Sequence, residues 1–136
     1  MNDNYLHSEI TGLIIKAFFN VYNKLGYGFL EKVYVNALLI ELRRMRLFCS
    51  SQVPIKVFYD ELEIGFYIAD IAVNDSVIIE AKAAEALCEE HEAQLTNCLK
   101  ATEIEVGLLL NFGKKAEFKE FKRKVFSTEY KNLKLS

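Results

Sequence analysis

The segment "IADIAVNDSVIIEAKA", residues 68–83, constrains the fold more than any other part of the chain. Two apolar runs flank a short polar turn, so the segment predicts two antiparallel strands. Apolar residues occur on both faces of each strand, which is typical of strands covered on both sides in the middle of a sheet. The charged side chains of Asp70, Glu80 and Lys82 interrupt these runs. Burying such charges is costly unless they are paired or bind a metal.

The register of this hairpin decides whether the charges meet. A three-residue loop, 74–76, places Asp70 opposite Glu80, with the two side chains about 5 Å apart. Because successive side chains of a strand alternate between faces, Lys82 lies on the same face as Glu80. A slip of one residue would place Asp70 opposite Ile79 and separate the charges.

Hydrophobic periodicity predicts the other elements. Three segments place apolar residues at three- and four-residue steps and predict amphipathic helices, and alternation or a short apolar run predicts the strands. The tail, 116–126, is ambiguous between strand and helix, and the spacing of Phe118, Phe121 and Val125 favours helix. The order of elements predicts an α/β (α+β) sheet flanked by helices. The predicted helices are 6–25, 30–46 and 87–102, and the predicted strands are 53–59, 62–72, 77–82 and 106–110.

Length and composition bound the class of protein. A chain of 136 residues that is 51% hydrophobic and 26% charged is typical of one globular domain, predicted here over residues 1–136. The net charge of −2 argues against a protein that coats nucleic acid through bulk charge. The chain has neither an apolar run of about 18 residues nor the pattern of a secretory signal, so we expect no membrane span. Three widely spaced cysteines fit a reducing compartment, and the cytoplasm is the expected location.

The charged residues of the hairpin predict a metal site. Two carboxylates this close repel each other, and both stay ionised only beside a cation. Oxygen ligands suit Mg²⁺ or Mn²⁺, and the backbone carbonyl of Ala81 is a candidate third ligand beside Asp70 and Glu80. Lys82 would orient an attacking water or offset charge in the transition state of phosphodiester hydrolysis. The alternative is a solvent-exposed salt bridge between Glu80 and Lys82.

Four segments of the chain resemble one family. "GFLEKVY", Gly28 to Tyr34, matches a GxxExxY pattern, and "VNALLIELRRMRL" resembles the helix that follows it in that family. "YIADIAVNDSVIIEAKA" has the D…ExK spacing, and "HEAQLTNCLKATEIEVGLLLNFG" resembles the C-terminal half. Over roughly residues 10–126 the chain therefore resembles the GxxExxY proteins of the PD-(D/E)XK nuclease superfamily. The resemblance implies a restriction-endonuclease-like core, in which helices flank a central mixed sheet with an antiparallel three-strand meander.

The resemblance also implies a role for individual residues. Asp70 and Glu80 would be metal ligands and Lys82 the catalytic lysine. Glu31 resembles an extra acidic residue that some members direct at the metal or its water. Gln94, on the predicted helix after the hairpin, resembles a polar residue that completes many such sites.

Two positions depart from the pattern. Ala69 occupies the position of the proline in the superfamily name, which should leave the chemistry intact. Cys98 occupies a position where related sequences often have tyrosine, which puts the grip on substrate in question but not metal binding. We otherwise expect Cys98 and Tyr34 to be packing residues and His91 to lie on a solvated face.

The predicted function is hydrolysis of phosphodiester bonds in DNA or RNA by a Mg²⁺- or Mn²⁺-dependent nuclease. One alternative is a non-catalytic binding or assembly module with the same fold, and another is a metal-dependent phosphodiesterase that acts on nucleotides. Basic residues around 43–46 and 114–124 either form solvated faces or border the cleft, where they would contact phosphates. A domain this small has little room for a separate recognition element, so we also expect a homodimer or a partner protein.

Overall fold

The spatial order of the five strands follows their order in the chain. The computed structural model of the protein describes residues 3–123, with side chains described from residue 8 onward. Strands β3 and β4 are parallel, and every other neighbouring pair is antiparallel. This mixed sheet, flanked by helices, confirms the predicted fold class. The elements are α1 (Asp3–Leu25), α2 (Glu31–Arg44), β1 (Cys49–Tyr59), β2 (Leu62–Val73), β3 (Val77–Lys82), α3 (Glu89–Lys100), β4 (Val106–Phe112) and β5 (Ala116–Lys122).

Two apolar clusters cover the two faces of the sheet. The larger one joins α1 and α2 to strands β2, β3 and β4 and includes Phe18, Leu38 and Ile79. The smaller one packs α3 against the opposite face and includes Leu95 and Leu99. Within residues 3–123, no helix has both the length and the apolar character needed to cross a membrane.

Helix α3 approaches the sheet closely at Gly107, in β4. A Cβ atom at this position would lie 2.9 Å from Cδ1 of Leu95 and 3.1 Å from Cδ1 of Leu99. These distances are shorter than ordinary contact between carbon atoms, about 3.5–4.0 Å. The absence of a side chain at Gly107 therefore sets the distance between α3 and the sheet.

Strands β1 and β2 change faces at the level of Gln52 and Asp70. Ile71 packs in the cluster under α1 and α2, whereas Ala69 and Ile55 pack in the cluster under α3. On a regular strand, residues i and i+2 lie on the same face. Ala69 and Ile71 lie on opposite faces, so the strand rotates between them. Gln52 has a φ of 52°, in the left-handed region, and has no ladder partner in the pairing of β1 with β2. This irregularity removes Asp70 from the regular alternation of its strand.

Beyond Ile71, where β2 stops pairing with β3, the β1–β2 hairpin continues as a two-stranded arm. The pairing of β2 with β3 reaches only as far as Ile71. On the arm, Leu62, Ile64 and Phe66 are exposed, and Ile68 is 43% exposed. The prediction that the 68–83 hairpin is covered on both faces is therefore confirmed for the segment paired with β3 and wrong at Ile68, because β2 no longer pairs with β3 there.

The prediction of a helix over 116–126 is wrong for the described part of that segment, which forms β5. Phe118 contacts Phe18 and Phe19 of α1, with ring centroids 6.4 and 6.2 Å apart, whereas Phe121 packs against the cluster under α3. Because residues three apart lie on opposite faces of a strand, their spacing suits an edge strand that contributes to both clusters. Residues 124–126 lie outside the described residues.

Candidate active site

The hairpin has the register that a three-residue loop requires. Val73 pairs with Val77, and the ladder ends at Ile71, the residue next to Asp70. The same register, continued by one pair, places Asp70 opposite Glu80. The predicted juxtaposition is confirmed, and it lies where the backbones of β2 and β3 stop pairing.

Side chains replace the backbone ladder at this point. Oδ2 of Asp70 accepts a hydrogen bond from the backbone N–H of Ala81 at 2.8 Å. Oε1 of Glu80 accepts one from the backbone N–H of Asp70 at 3.3 Å. The second oxygen of each carboxylate makes no hydrogen bond to any residue of the described range 3–123. Each carboxylate is thus fixed through one oxygen and has the other available for a ligand.

The surroundings of both carboxyl groups disfavour negative charge. Burial is the main cause that raises the pKa of Glu80 to about 7, and the charge of Asp70 adds to the effect. Burial also raises the pKa of Asp70, and the charge of Glu31 acts in the same direction. Lys82 opposes both shifts without cancelling them. The protein alone does not neutralise this pair, and such an arrangement is typical of sites that receive a cation.

A tight turn places Glu31 beside Asp70. Gly26 has a φ of 69°, which glycine adopts without steric cost, and its carbonyl accepts a hydrogen bond from the hydroxyl of Tyr34 at 2.6 Å. The same hydroxyl accepts one from the backbone N–H of Phe29 at 3.2 Å. Tyr34 is fully buried, as predicted. The turn is thereby fastened to α2, whose first residue, Glu31, lines a groove together with Asp70.

On the other side of the pair, Glu80 and Lys82 line a pocket of about 220 Å³ together with Gln94 and Cys98 of α3. The predicted polar residue of α3 therefore faces the ExK segment. Cys98 is 3% exposed, which confirms its packing role. Burial, with a further effect from the charge of Glu80, raises the pKa of the Cys98 thiol to about 12. Cys98 is therefore a neutral thiol in the wall of this pocket.

Sequence reasoning missed Asn111, which supports the end of β3. This residue is fully buried and pairs with Lys82 in the register of β3 with β4. Its Oδ1 accepts a hydrogen bond from the backbone N–H of Ala84 at 2.9 Å, and its Nδ2 donates one to the carbonyl of Ala84 at 3.0 Å. Nδ2 also donates to Glu117 Oε1 at 3.1 Å. The sequence offered one signal for this role, because Asn111 is a polar residue directly after the apolar run "VGLLL".

The donor set at the hairpin fits a hard divalent cation. Asp70 and Glu80 each offer one free carboxylate oxygen. The carbonyl of Ala81 lies on the same side of its strand as the N–H that binds Asp70, because a strand residue directs both groups to one neighbour. Mg²⁺ and Mn²⁺ prefer oxygen ligands of these kinds. In the part of the chain that the structure describes, no three acidic, histidine or cysteine side chains form a metal cluster, so Glu31, although it lines the groove with Asp70, does not complete a three-carboxylate site with the pair.

The two basic clusters have different surroundings. Arg43 and Arg44 lie in the last turn of α2, about 18 Å along the axis from Glu31 at 1.5 Å per residue. Lys119 forms an ion pair with Glu92. Lys114 lines a pocket formed by the turn before α2 and the loop after β3. Lys114 therefore lies beside the loop that follows Lys82.

Comparison with known proteins identifies a matching family and solved structures with a similar fold. The sequence model of the PD-(D/E)XK nuclease superfamily matches residues 8–124. No curated protein sequence matches the chain. A crystal structure of SSO0001 superposes with a TM-score of 0.57 and 16% identity, over 75% of this chain and 54% of the other. An alkaline exonuclease, LHK-Exo, from Laribacter hongkongensis superposes with a TM-score of 0.52 and 9% identity, over 76% of this chain and 61% of the other. The chain thus spans about half to three-fifths of the length of these two structures, and at such identities the likeness concerns the fold.

Proposed function

We propose a metal-dependent phosphodiester hydrolase that acts on DNA or RNA, because this chain belongs to the PD-(D/E)XK nuclease superfamily. Superfamily membership and fold support a nuclease, and the activity is inferred from the site. The assignment to the GxxExxY proteins, drawn from the pattern at Gly28, Glu31 and Tyr34, is part of the same proposal.

One observation carries the proposal: two half-buried carboxylates are held by each other's strands and each has a free oxygen. Lys82 does not offset the burial of this group, because the pKa of Glu80 remains raised to about 7. A structural ion pair with Lys82 therefore does not account for the arrangement. Asp70, Glu80 and the carbonyl of Ala81 would hold Mg²⁺ or Mn²⁺, with Glu31 assisting from the start of α2. When bound, the cation would stabilise negative charge on the phosphate and make water more acidic.

Lys82 and Gln94 would act on the reacting groups. Lys82 shares a pocket with Glu80, so its ammonium would hold the attacking water by hydrogen bonding or offset the charge that develops on phosphate oxygens. The carboxamide of Gln94 has one acceptor and two donor hydrogens, which would orient the water or a phosphate oxygen. Cys98, in the wall of this pocket, would exclude solvent without contributing charge.

The test is cleavage of labelled single- and double-stranded DNA and RNA in Mn²⁺, in Mg²⁺ or in chelator. We expect cleavage by the wild type only with metal and a loss of at least 100-fold in Lys82→Ala, as is typical when a group that stabilises transition-state charge is removed. Lys16→Ala is the matched control, because Lys16 is an exposed lysine on α1.

Three other results would change the assignment. Cleavage that survives in chelator or in Lys82→Ala would show that this site is not the catalyst. Silence of the wild type on every polymer, with cleavage of nucleotides, would favour the nucleotide phosphodiesterase. Silence on both, with no metal binding at Asp70 and Glu80, would leave a non-catalytic module.

A further inference from the structure

A second cavity borders the carboxylate pair on the side of α2. This groove has a volume of about 510 Å³, lies between α2 and β1, and ends at Asp70. Besides Glu31, which is also exposed, four of its lining residues are exposed and polar, and the side chains of these four make no hydrogen bond to residues of the described range. They are Lys32, Asn36, Ser51 and Gln52.

The floor and the charge of the groove restrict what it can hold. Val35 and Leu39, which are 6% and 8% exposed, form an apolar surface between the polar side chains. Lys32 offsets the charge of Glu31, and Asp70 adds a carboxylate at the end of the groove, so the lining has no excess of positive charge. A track for the phosphates of a duplex would instead be rich in lysine and arginine. The groove therefore suits an uncharged, partly flat group with hydrogen-bonding edges.

We propose that this groove binds an unpaired nucleotide next to the scissile phosphodiester, so that the substrate is single-stranded at the cleavage site. The inference rests on the proposed function. The base lies over Val35 and Leu39, and the carboxamides of Asn36 and Gln52 hydrogen-bond to its edge or to the sugar. Asparagine and glutamine offer a donor and an acceptor side by side, which matches the edges of bases. Lys32 reaches the neighbouring phosphate.

The position of the groove explains the preference for a single strand. Bases of a duplex are stacked and paired, and a protein that takes up a base in a cavity acts on single strands or must first extrude the base. The groove meets Asp70 directly, so a nucleotide that fills it is adjacent to the reacting phosphate. A volume of about 510 Å³ is within the usual range for sites of small organic groups, about 300–1,000 Å³.

Gln52 has a backbone conformation that links the groove to the catalytic pair. Its left-handed φ of 52° occurs at the level of Asp70, where β1 and β2 change faces. A non-glycine residue in this region carries a cost of about 1 kcal/mol or more. Glycine adopts the same φ without strain, so Gln52→Gly retains the local backbone and removes only the carboxamide.

The test measures binding of a fluorescein-labelled ten-nucleotide single strand, as DNA and as RNA, by anisotropy. The protein carries Lys82→Ala, to prevent cleavage, and Mg²⁺ is present. We expect Asn36→Ala and Gln52→Gly each to weaken binding roughly 3- to 10-fold, the usual effect of one net hydrogen bond. Asn23→Ala is the control for asparagine, since Asn23 is exposed and outside the groove. Glu61→Gly is the control for backbone strain, since Glu61, at the tip of the β1–β2 hairpin, has a φ of 68°.

Each outcome distinguishes a failure of this inference from a failure of the proposed function. Metal-dependent cleavage with unchanged single-strand affinity in both groove variants would overturn this inference and leave the proposed function intact. Equal weakening for a blunt duplex and for the single strand would also overturn it, because the groove would then follow the phosphate backbone. Loss of single-strand affinity in the groove variants, together with a wild type that cleaves nothing, would support the groove and remove the catalytic proposal. Absence of binding to every nucleic acid overturns the inference.

Discussion

The backbone N–H of Asp70 donates a hydrogen bond to Oε1 of Glu80 across 3.3 Å, where strands β2 and β3 separate. Oδ2 of Asp70 in turn accepts one from Ala81, the neighbour of Glu80. The two acidic residues therefore hold both strands and each other in place. Their remaining oxygens make no hydrogen bond within residues 3–123 and are available to a ligand. The following predictions concern this relationship and the residues that support it.

Glu80 should make the metal-free protein less stable as the pH rises. Its pKa is about 7 in the folded state and about 4.3 in an unfolded chain. The folded state therefore binds more protons than the unfolded state between these values, and the free energy of unfolding falls as the pH rises through this window. At about 1.4 kcal/mol per pKa unit, we expect a loss on the order of 2–3 kcal/mol that Glu80→Gln does not show. Urea unfolding at pH 4.5 and pH 8 measures it, and parallel changes in the two proteins would contradict the prediction.

Divalent metal should reverse this destabilisation. Mg²⁺ or Mn²⁺ at 100 times its Kd stabilises the folded state by about 2.7 kcal/mol, which a rise in Tm at pH 8 would reveal. We expect no rise in Asp70→Asn or Glu80→Gln, which lose carboxylate ligands. Glu61→Gln removes an exposed carboxylate at the tip of the β1–β2 hairpin and should respond like the wild type. A full metal response in Asp70→Asn would rule out this pair as the binding site.

Asn111→Ala should destabilise the protein and weaken catalysis. The change leaves the backbone N–H and carbonyl of Ala84 without their partner, at about 1–3 kcal/mol for each buried group left unpaired. The loop that follows Lys82 should then be less well fixed, so kcat should fall more than KM rises. Asn97→Ala, at an exposed position of α3, should change stability by no more than about 0.5 kcal/mol. Denaturant unfolding of the two variants makes the comparison, and equal stabilities would contradict the role given to Asn111.

Gly107→Ala should move α3 and, with it, Gln94. The added methyl group meets Leu95 at 2.9 Å, and overpacking of this kind costs about 1–3 kcal/mol. Gly12→Ala is the control, because a Cβ at this position of α1 meets nothing within 4 Å. Alanine in the helix should stabilise by about 0.5–1 kcal/mol. Thermal unfolding with opposite signs in the two variants is the expected result, and a neutral Gly107→Ala would mean that α3 tolerates displacement.

Local sequence was enough to predict the centre of the site. The loop 74–76 and the alternation of side chains determine that Asp70 lies opposite Glu80, because only nine residues lie between them and each strand residue directs its side chain to a fixed face. The period of the apolar residues likewise predicted three helices within a few residues of their ends. The same periodicity placed Gln94 on α3, whereas its position near the pair was implied only by the family resemblance.

The sequence by itself thus determined the hairpin, its register and the juxtaposition of its two carboxylates. The tertiary structure alone decided the rest. The spacing of Phe118 and Phe121 fits a helix as well as a strand, and pairing with β4 between two clusters selects the strand. The change of faces at Gln52 distributes one strand between the two clusters, and Asn111 bonds to the loop after β3 and to Glu117 of β5. Such features follow from contacts between residues that are far apart in the chain. The local periodicity of a segment does not predict which distant residues it will contact.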